Sequence, residues 1–136
     1  MDFEITDDIK SEDREQIRGG LLEYNLARLE DKNPKELGLY YRERGTIKAG
    51  LTAETHGNWL EIQYLWVAEE LRGKGIGSAL LKKAEAIAAG RGCVYAFVDT
   101  FEFQAPKFYL KYGYREVLTL TKYPLIGRRH YYIKNL

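Results

Sequence analysis

Between residues 59 and 98 the period of the apolar residues changes twice, and no other feature of the chain restricts its fold as much. Trp59 to Val67 reads as a strand. Ile76, Leu80, Ala84 and Ile87 then mark one face of a helix, with Leu81 and Ala88 widening the stripe. Gly90 and Gly92 end it, because glycine takes the left-handed conformation at a helix end most readily. Cys93-Val94-Tyr95-Ala96-Phe97-Val98 is again strand-like, short and apolar enough to be buried. Strand, helix and strand in that order imply a right-handed crossover between parallel neighbours.

The flanks read differently. Leu37 to Tyr41, Thr46 to Thr55 and Trp59 to Val67 form three strands with turns at Arg44-Gly45 and His56-Gly57-Asn58, an antiparallel meander. After the crossover, Ala105, Phe108, Tyr109 and Tyr112 recur at helical spacing and Gly113 closes that helix. Tyr114 to Thr121 and Arg129 to Ile133 supply two last strands. Near the start, Phe3 and Ile5 alternate with acidic residues and read as a short first strand. Ser11 is placed to cap a helix carrying Ile17, Leu21 and Tyr24, and Gly19-Gly20 predicts that this helix is bent or split in two. The class is α+β, with a mixed, mostly antiparallel sheet. No repeat or linker divides the chain, so residues 1–136 are expected to form a single domain.

Composition narrows the setting. At 45% hydrophobic and 30% charged, the 136 residues suit a soluble globular protein. No apolar run is long enough for a bilayer, and the first residues lack the pattern of a signal peptide, so no membrane association is expected. One cysteine, Cys93, excludes an internal disulfide and suits a reducing, cytoplasmic setting. One cysteine and two separated histidines, His56 and His130, give no metal-site spacing. Residues 2–16 are mostly acidic and 107–134 mostly basic, which reads as two solvated faces; the sharper alternative is a field for an anionic cofactor and a cationic substrate. With a formal net charge of +1 and no nucleic-acid motif, nucleic acid is not an expected partner.

Gly73, Gly75 and Gly77 stand between the first strand of the crossover and its helix. Glycines let the backbone approach a bulky anion, and the free N–H groups at a helix start favour negative charge. Arg72 and Lys74 add positive charge, and a diphosphate is the natural ligand. A ligand-free glycine connection is the plainer alternative. The loop is neither a Walker A sequence nor the G-x-G-x-x-G of a dinucleotide fold, and the antiparallel meander before it counts against the latter.

Arg72-Gly73-Lys74-Gly75-Ile76-Gly77 resembles the [RQ]-x-x-G-x-[GA] signature of the GNAT superfamily of acyl-CoA-dependent N-acyltransferases. Leu65-Trp66-Val67 and Glu69-Glu70-Leu71 before it, and Ser78-Ala79-Leu80-Leu81 after it, agree. Ala105-Pro106-Lys107-Phe108-Tyr109-Leu110-Lys111-Tyr112-Gly113-Tyr114 looks like the A-x-x-x-Y-x-x-x-G-[FY] segment of that superfamily. The clear resemblance runs from about Leu60 to Glu116.

The resemblance implies a sheet with a central splayed parallel strand pair and helices on both faces. It implies acetyl-CoA as acyl-donor cosubstrate, no metal, and direct transfer of the acetyl group to a primary amine of a small molecule or peptide. A non-catalytic acyl-CoA sensor is the alternative. By the same resemblance the Leu65 N–H polarises the thioester carbonyl, and Trp66 and Val67 meet pantetheine. Arg72, Gly73, Lys74, Gly75, Ile76, Gly77 and Ser78 receive the pyrophosphate. Tyr109 is the general acid toward the departing sulfur, since a phenol of pKa ~10 is protonated at neutral pH. Glu61 is the implied base, with Asp99 as rival base or anchor for a cationic substrate; strand alternation would put Glu61, Gln63 and Leu65 on one face. Many members carry an asparagine against pantetheine where this chain has Glu102, so that contact is either lost or supplied by Gln104. Tyr24, Asn25, Tyr40, Tyr41, Trp66 and Phe101 are candidate acceptor liners. Tyr123, Tyr131 and Tyr132, read as exposed, would suit a homodimer surface.

Overall fold

Tight turns and one inserted residue set the geometry of the sheet. The computed structural model describes residues 1–31, 33–102 and 104–136, and divides into two compact units, Met1–Lys32 and Asn33–Leu136.

The first unit carries α1 (Ser11–Leu26), one uninterrupted helix that contains Gly19 and Gly20. Two glycines weaken a helix by about 1 kcal/mol each but, unlike proline, they neither clash nor remove a donor, so the expected break does not occur. Ser11 is the first helical residue rather than the cap: Lys10 occupies that position with extended backbone, and the Ser11 hydroxyl turns to Glu12 at 3.4 Å. Phe3 and Ile5 lie in no strand. Two alternating apolar residues do not make a strand without a ladder partner, and the chain instead turns at Thr6, whose Oγ1 accepts the Asp8 N–H at 2.9 Å.

The second unit contains β1 (Lys35–Glu43), β2 (Thr46–His56), β3 (Trp59–Val67), a 3-10 turn at Glu69–Leu71, α2 (Ile76–Gly90), β4 (Tyr95–Phe101), α3 (Pro106–Lys111), β5 (Arg115–Thr121) and β6 (Arg128–Asn135). The strands form one six-stranded sheet in the order β1-β2-β3-β4-β6-β5, with β6 inserted between β4 and β5. Only β3 and β4 run parallel. The expected meander is present. Its first hairpin turns through Arg44 (φ 50°) and Gly45 (φ 81°), the two left-handed residues that a type I′ turn requires.

β3 carries a bulge. Ile62 lies opposite Ala53 and Tyr64 opposite Thr52, so Gln63 is an extra residue. The bulge reverses the alternation behind it. Leu60, Ile62, Leu65 and Val67 share one face with Leu51 and Ala53, whereas Glu61, Tyr64 and Trp66 lie on the other. Glu61 and Leu65 are therefore not on the same face, contrary to the simple alternation. The parallel pairing stops at the same place. It covers Trp59↔Tyr95, Leu60↔Ala96 and Glu61↔Phe97, after which β3 follows β2 and β4 follows β6. A bulge sharpens local twist, which turns β3 away from β4 and opens the splay.

α2 covers the face that bears Leu51, Ala53, Leu60 and Ile62. Its buried line is Leu81, Ala84 and Ala88; Ile76, Leu80 and Ile87 sit at the half-buried rim, so the helix is rotated from the stripe centred on Leu80. Small residues at 84 and 88 let helix and sheet approach closely. Two sets of polar contacts hold the rotation. Glu85 accepts the Tyr114 hydroxyl at 2.8 Å and Lys134 Nζ at 3.0 Å, and Arg91 donates to the Glu36 carbonyl at 3.2 Å and Thr55 Oγ1 at 3.1 Å. Tyr132 is 2% exposed and belongs to the core, so it is not available to a dimer surface as the sequence suggested. Its alternation in β6 points it toward α2 and away from solvent.

Leu81→Ala is expected to destabilise the protein by about 2–5 kcal/mol, and Leu80→Ala by clearly less, because only Leu81 leaves a sealed cavity. Guanidinium unfolding of the two variants checks this; equal losses would contradict the rotation of α2.

Candidate active site

The splay opens into a cleft of about 730 Å³ within the second unit. Three elements wall it. The end of β3 gives Leu65, Trp66 and Val67; the loop and first turn of α2 give Leu71, Arg72, Gly73, Gly75, Ile76, Gly77 and Ser78; α3 and the residues before it give Gln104, Ala105, Phe108, Tyr109, Lys111 and Tyr112.

The loop is shaped by its glycines. Gly73 and Gly75 have φ of +78° and +81°, where other residues are strained, and Gly75 is the cap of α2. No side chain caps this helix. Ser78 Oγ donates back to the Gly75 carbonyl at 3.0 Å, so it does not consume an N–H group of the first turn. Those N–H groups and the helix dipole are left to meet an anion from the cleft. Arg72 donates Nε to the Val67 carbonyl at 3.0 Å and thereby ties the loop to the end of β3. Lys48 and Glu70, 3.2 Å apart, brace the turn that leads into it.

Beyond Glu61, β3 has no ladder partner on its β4 side, so the strand edge at residues 62–67 faces the gap. Across from it Tyr109 is buried at 6% exposure, with its ring edge-on to Phe108 and Tyr114. Its hydroxyl has no hydrogen-bond partner among the described residues. Burial strips water from the phenolate and pushes the pKa up to about 12, and the Asp99 charge adds to the effect. Gln104 folds its side chain back onto β4, where Oε1 accepts the Phe101 N–H at 2.6 Å and the Thr100 hydroxyl at 3.1 Å.

Most residues named from the sequence thus surround one space. Lys74 and Glu61 do not line it. Glu61 is exposed on the opposite sheet face, in line with Glu54 on β2 and Glu36 on β1. Asp99 is held by Arg129, whose Nε and Nη2 lie 2.8 and 2.7 Å from Oδ2, and this pairing raises the guanidinium pKa. That pairing turns the Asp99 carboxylate to Arg129, and Asp99 is not among the residues that line the cleft. Arg129 also donates to the Tyr123 hydroxyl at 3.2 Å and sits near the rings of Phe101 and Tyr131. Of the candidate acceptor liners, Trp66 reaches the cleft, Tyr40, Tyr41 and Phe101 do not, and Tyr24 and Asn25 belong to the first unit.

Phe108, Lys111 and Tyr112 were not singled out for the site by sequence. The signal was present in α3, whose apolar stripe is wider than one packed face needs: Tyr109 enters the core while Phe108 and Tyr112 face the cleft. Lys82 and Lys111 place their amines 5.4 and 5.7 Å from the Tyr112 ring, so positive charge gathers at that wall. Among the described residues no group of three or more His, Cys, Asp or Glu side chains is placed to hold a metal ion, and no helix is long and apolar enough to cross a membrane.

Comparison with known proteins agrees with this architecture. The acetyltransferase (GNAT) family profile matches residues 4–114. Acetyltransferase Atu2258 of Agrobacterium fabrum is 36% identical over 121 residues, 88% of each chain. A blasticidin-S acetyltransferase of Streptomyces morookaense is 40% identical over 95 residues, 69% of this chain and 70% of its own. An Agrobacterium tumefaciens crystal structure ascribed to an acetyltransferase superposes with a TM-score of 0.91 over 100% of both chains, at 33% identity. The splayed parallel pair, the uncapped glycine turn beside it and these relatives place the chain in the GNAT family, as an acyl-CoA-dependent N-acetyltransferase that draws its acetyl group from acetyl-CoA.

Proposed function

We propose that residues 1–136 work as one catalytic domain that acetylates the primary amine of a small cationic molecule. The observation that carries this reading is the cleft itself, one space lined by a phosphate-suited helix start, the end of β3 and a buried phenol, groups that suit acetyl-CoA's diphosphate, pantetheine and thioester. The diphosphate lies on the loop from Arg72 to Ser78, with Lys74 contributing charge from outside the lining. Pantetheine runs along Leu65, Trp66 and Val67, with the Gln104 amide near it, and the thioester carbonyl accepts the Leu65 N–H.

The acceptor nitrogen attacks the thioester carbon, the carbon–sulfur bond breaks, and the proton lost by nitrogen balances the one gained by sulfur. Tyr109 serves the sulfur. A phenol with a pKa near 12 does not give up its proton outright to a thiolate of pKa ~8.5. It therefore acts as a hydrogen-bond donor to the developing charge, and transfers its proton only as the attacking amine returns one. Glu61 acts on the acceptor. Glu36, Glu54 and Glu61 cross three adjacent strands on the face that also carries Trp66, a negative row suited to drawing a protonated amine toward the cleft. The similarity to a blasticidin-S acetyltransferase supports a small molecule over a peptide.

Turnover of acetyl-CoA with a panel of small cationic amines and peptide N-termini tests the reading. Acetylation of the former is expected; acetyl-CoA binding without acetylation of any amine would leave the sensor alternative in its place. Tyr109→Phe should lower kcat by about 10²-fold while the KM for acetyl-CoA stays near the parent value. An unchanged kcat would remove Tyr109 from the reaction. Gly75→Asp, shown to be folded by circular dichroism, should lose acetyl-CoA binding, since a carboxylate at the helix start repels the diphosphate and φ of +81° strains the backbone. Because its pKa is raised, Tyr109 keeps its proton across the neutral and moderately alkaline range. At saturating acetyl-CoA, kcat/KM for the acceptor should rise with pH toward the amine pKa, with no falling limb below about pH 10. A falling limb near neutrality that disappears in Tyr109→Phe would contradict the assignment.

A further inference from the structure

His130 on β6 is a buried imidazole paired with two solvent-exposed carboxylates, a cluster that acetyl transfer as described does not use. The residue is 7% exposed, and each of its ring nitrogens meets a carboxylate. Nε2 lies against Glu102, and Nδ1 is 2.6 Å from Glu116 Oε1, with Thr119 Oγ1 3.2 Å away. The ring stacks on Tyr132, centroids 5.8 Å apart and planes 4° apart. An imidazole facing an acceptor at both nitrogens needs a proton on both, so the cluster is built around the imidazolium. The Glu102 hydrogen bond raises the His130 pKa most, burial opposes it, and Glu116 raises it further.

Glu102 begins the connection from β4 to α3. Its own N–H donates to the Arg128 carbonyl at 3.0 Å, so both backbone and side chain tie it to β6. Gln104 and Ala105, two and three residues later, line the cleft. This position is where the family resemblance calls for an asparagine on pantetheine, and here the side chain is committed to His130 instead. We propose that His130 is a positioning residue for acetyl-CoA, its grip on Glu102 setting the β4–α3 connection so that Gln104 and Ala105 form one wall of the cofactor cleft. The inference rests on the reading of that cleft as the acetyl-CoA site.

The other groups around the ring are Glu116 and Thr119 on β5, Tyr132 beside it on β6, and Arg128, whose charge acts on Glu116. None of them can replace a ring proton facing Glu102. Because the His130 pKa is raised, the grip persists to higher pH than an unperturbed imidazole would allow and is lost as pH rises through the raised value. One nitrogen then presents a lone pair to a carboxylate, and the connection loosens.

The test is calorimetric titration of the intact protein with acetyl-CoA from about pH 7 to pH 10. In His130→Gln and in Glu102→Gln, whose parent side chain is 56% exposed and outside the core, the Kd at neutral pH should rise about five- to tenfold. The kcat at saturating acetyl-CoA should stay within about twofold of the parent, because the reacting groups are untouched. The parent should bind more weakly as pH rises, and the Glu102→Gln variant should lose that dependence. A folded Glu102→Gln protein with parental affinity and parental pH dependence would overturn the proposal, as would a lowered melting temperature with no change in Kd. Failure of the parent to bind acetyl-CoA at any pH would overturn the cleft assignment as well, which separates the two readings.

Discussion

One extra residue in β3 governs the site. The parallel ladder between β3 and β4 ends at Glu61↔Phe97, two residues before Gln63. The bulge adds twist where the parallel ladder stops, and each strand then stays with its antiparallel neighbour. The hydrogen-bonding capacity left on β3 is what the proposed function uses to hold an extended amide chain, much as a sheet edge accepts an added strand. Gln63 takes up one residue without a partner, so Leu65 keeps the α2 side with Leu60 and Ile62 while Glu61 lies on the other face. In the proposed function the two faces divide the work, with cofactor toward the helix and charge attraction on the sheet's other side.

α2 depends on the same arrangement. Its first turn needs to lie beside the gap, and its last turn needs to stay on the closed part of the sheet. Leu81, Ala84 and Ala88 seat its middle on the core, Arg91 fastens its end to β1 and β2, and Glu85 joins it to Tyr114 and Lys134. Tyr114 in turn packs edge-on against Tyr109. The phenol at the cleft is thus positioned by the same contacts that orient α2 and its dipole. Burial there is also what keeps Tyr109 protonated.

Much of this was legible in the chain. Periods of two and of 3.6 located the meander, α2 and the crossover, because those elements bury one continuous face. The glycine loop was readable because positive φ leaves glycine little competition. The bulge was not, since Ile62, Gln63 and Tyr64 fit an unbroken strand as well as a bulged one; only pairing with β2 reveals the extra residue. Nor was the cluster around His130, which joins residues 102, 116 and 130 from three segments. The split that Gly19-Gly20 allowed does not occur for a different reason, since propensity of about 1 kcal/mol per glycine is too weak to break a helix by itself. Phe3 and Ile5 showed alternation without a partner strand.

Amide hydrogen exchange with and without acetyl-CoA tests the central claim most directly. The account predicts that acetyl-CoA slows exchange at two places together: the β3 edge at residues 64–67 and the α2 start at residues 75–78. Protection confined to the opposite sheet face around Glu36, Glu54 and Glu61, with neither of those two segments affected, would contradict it.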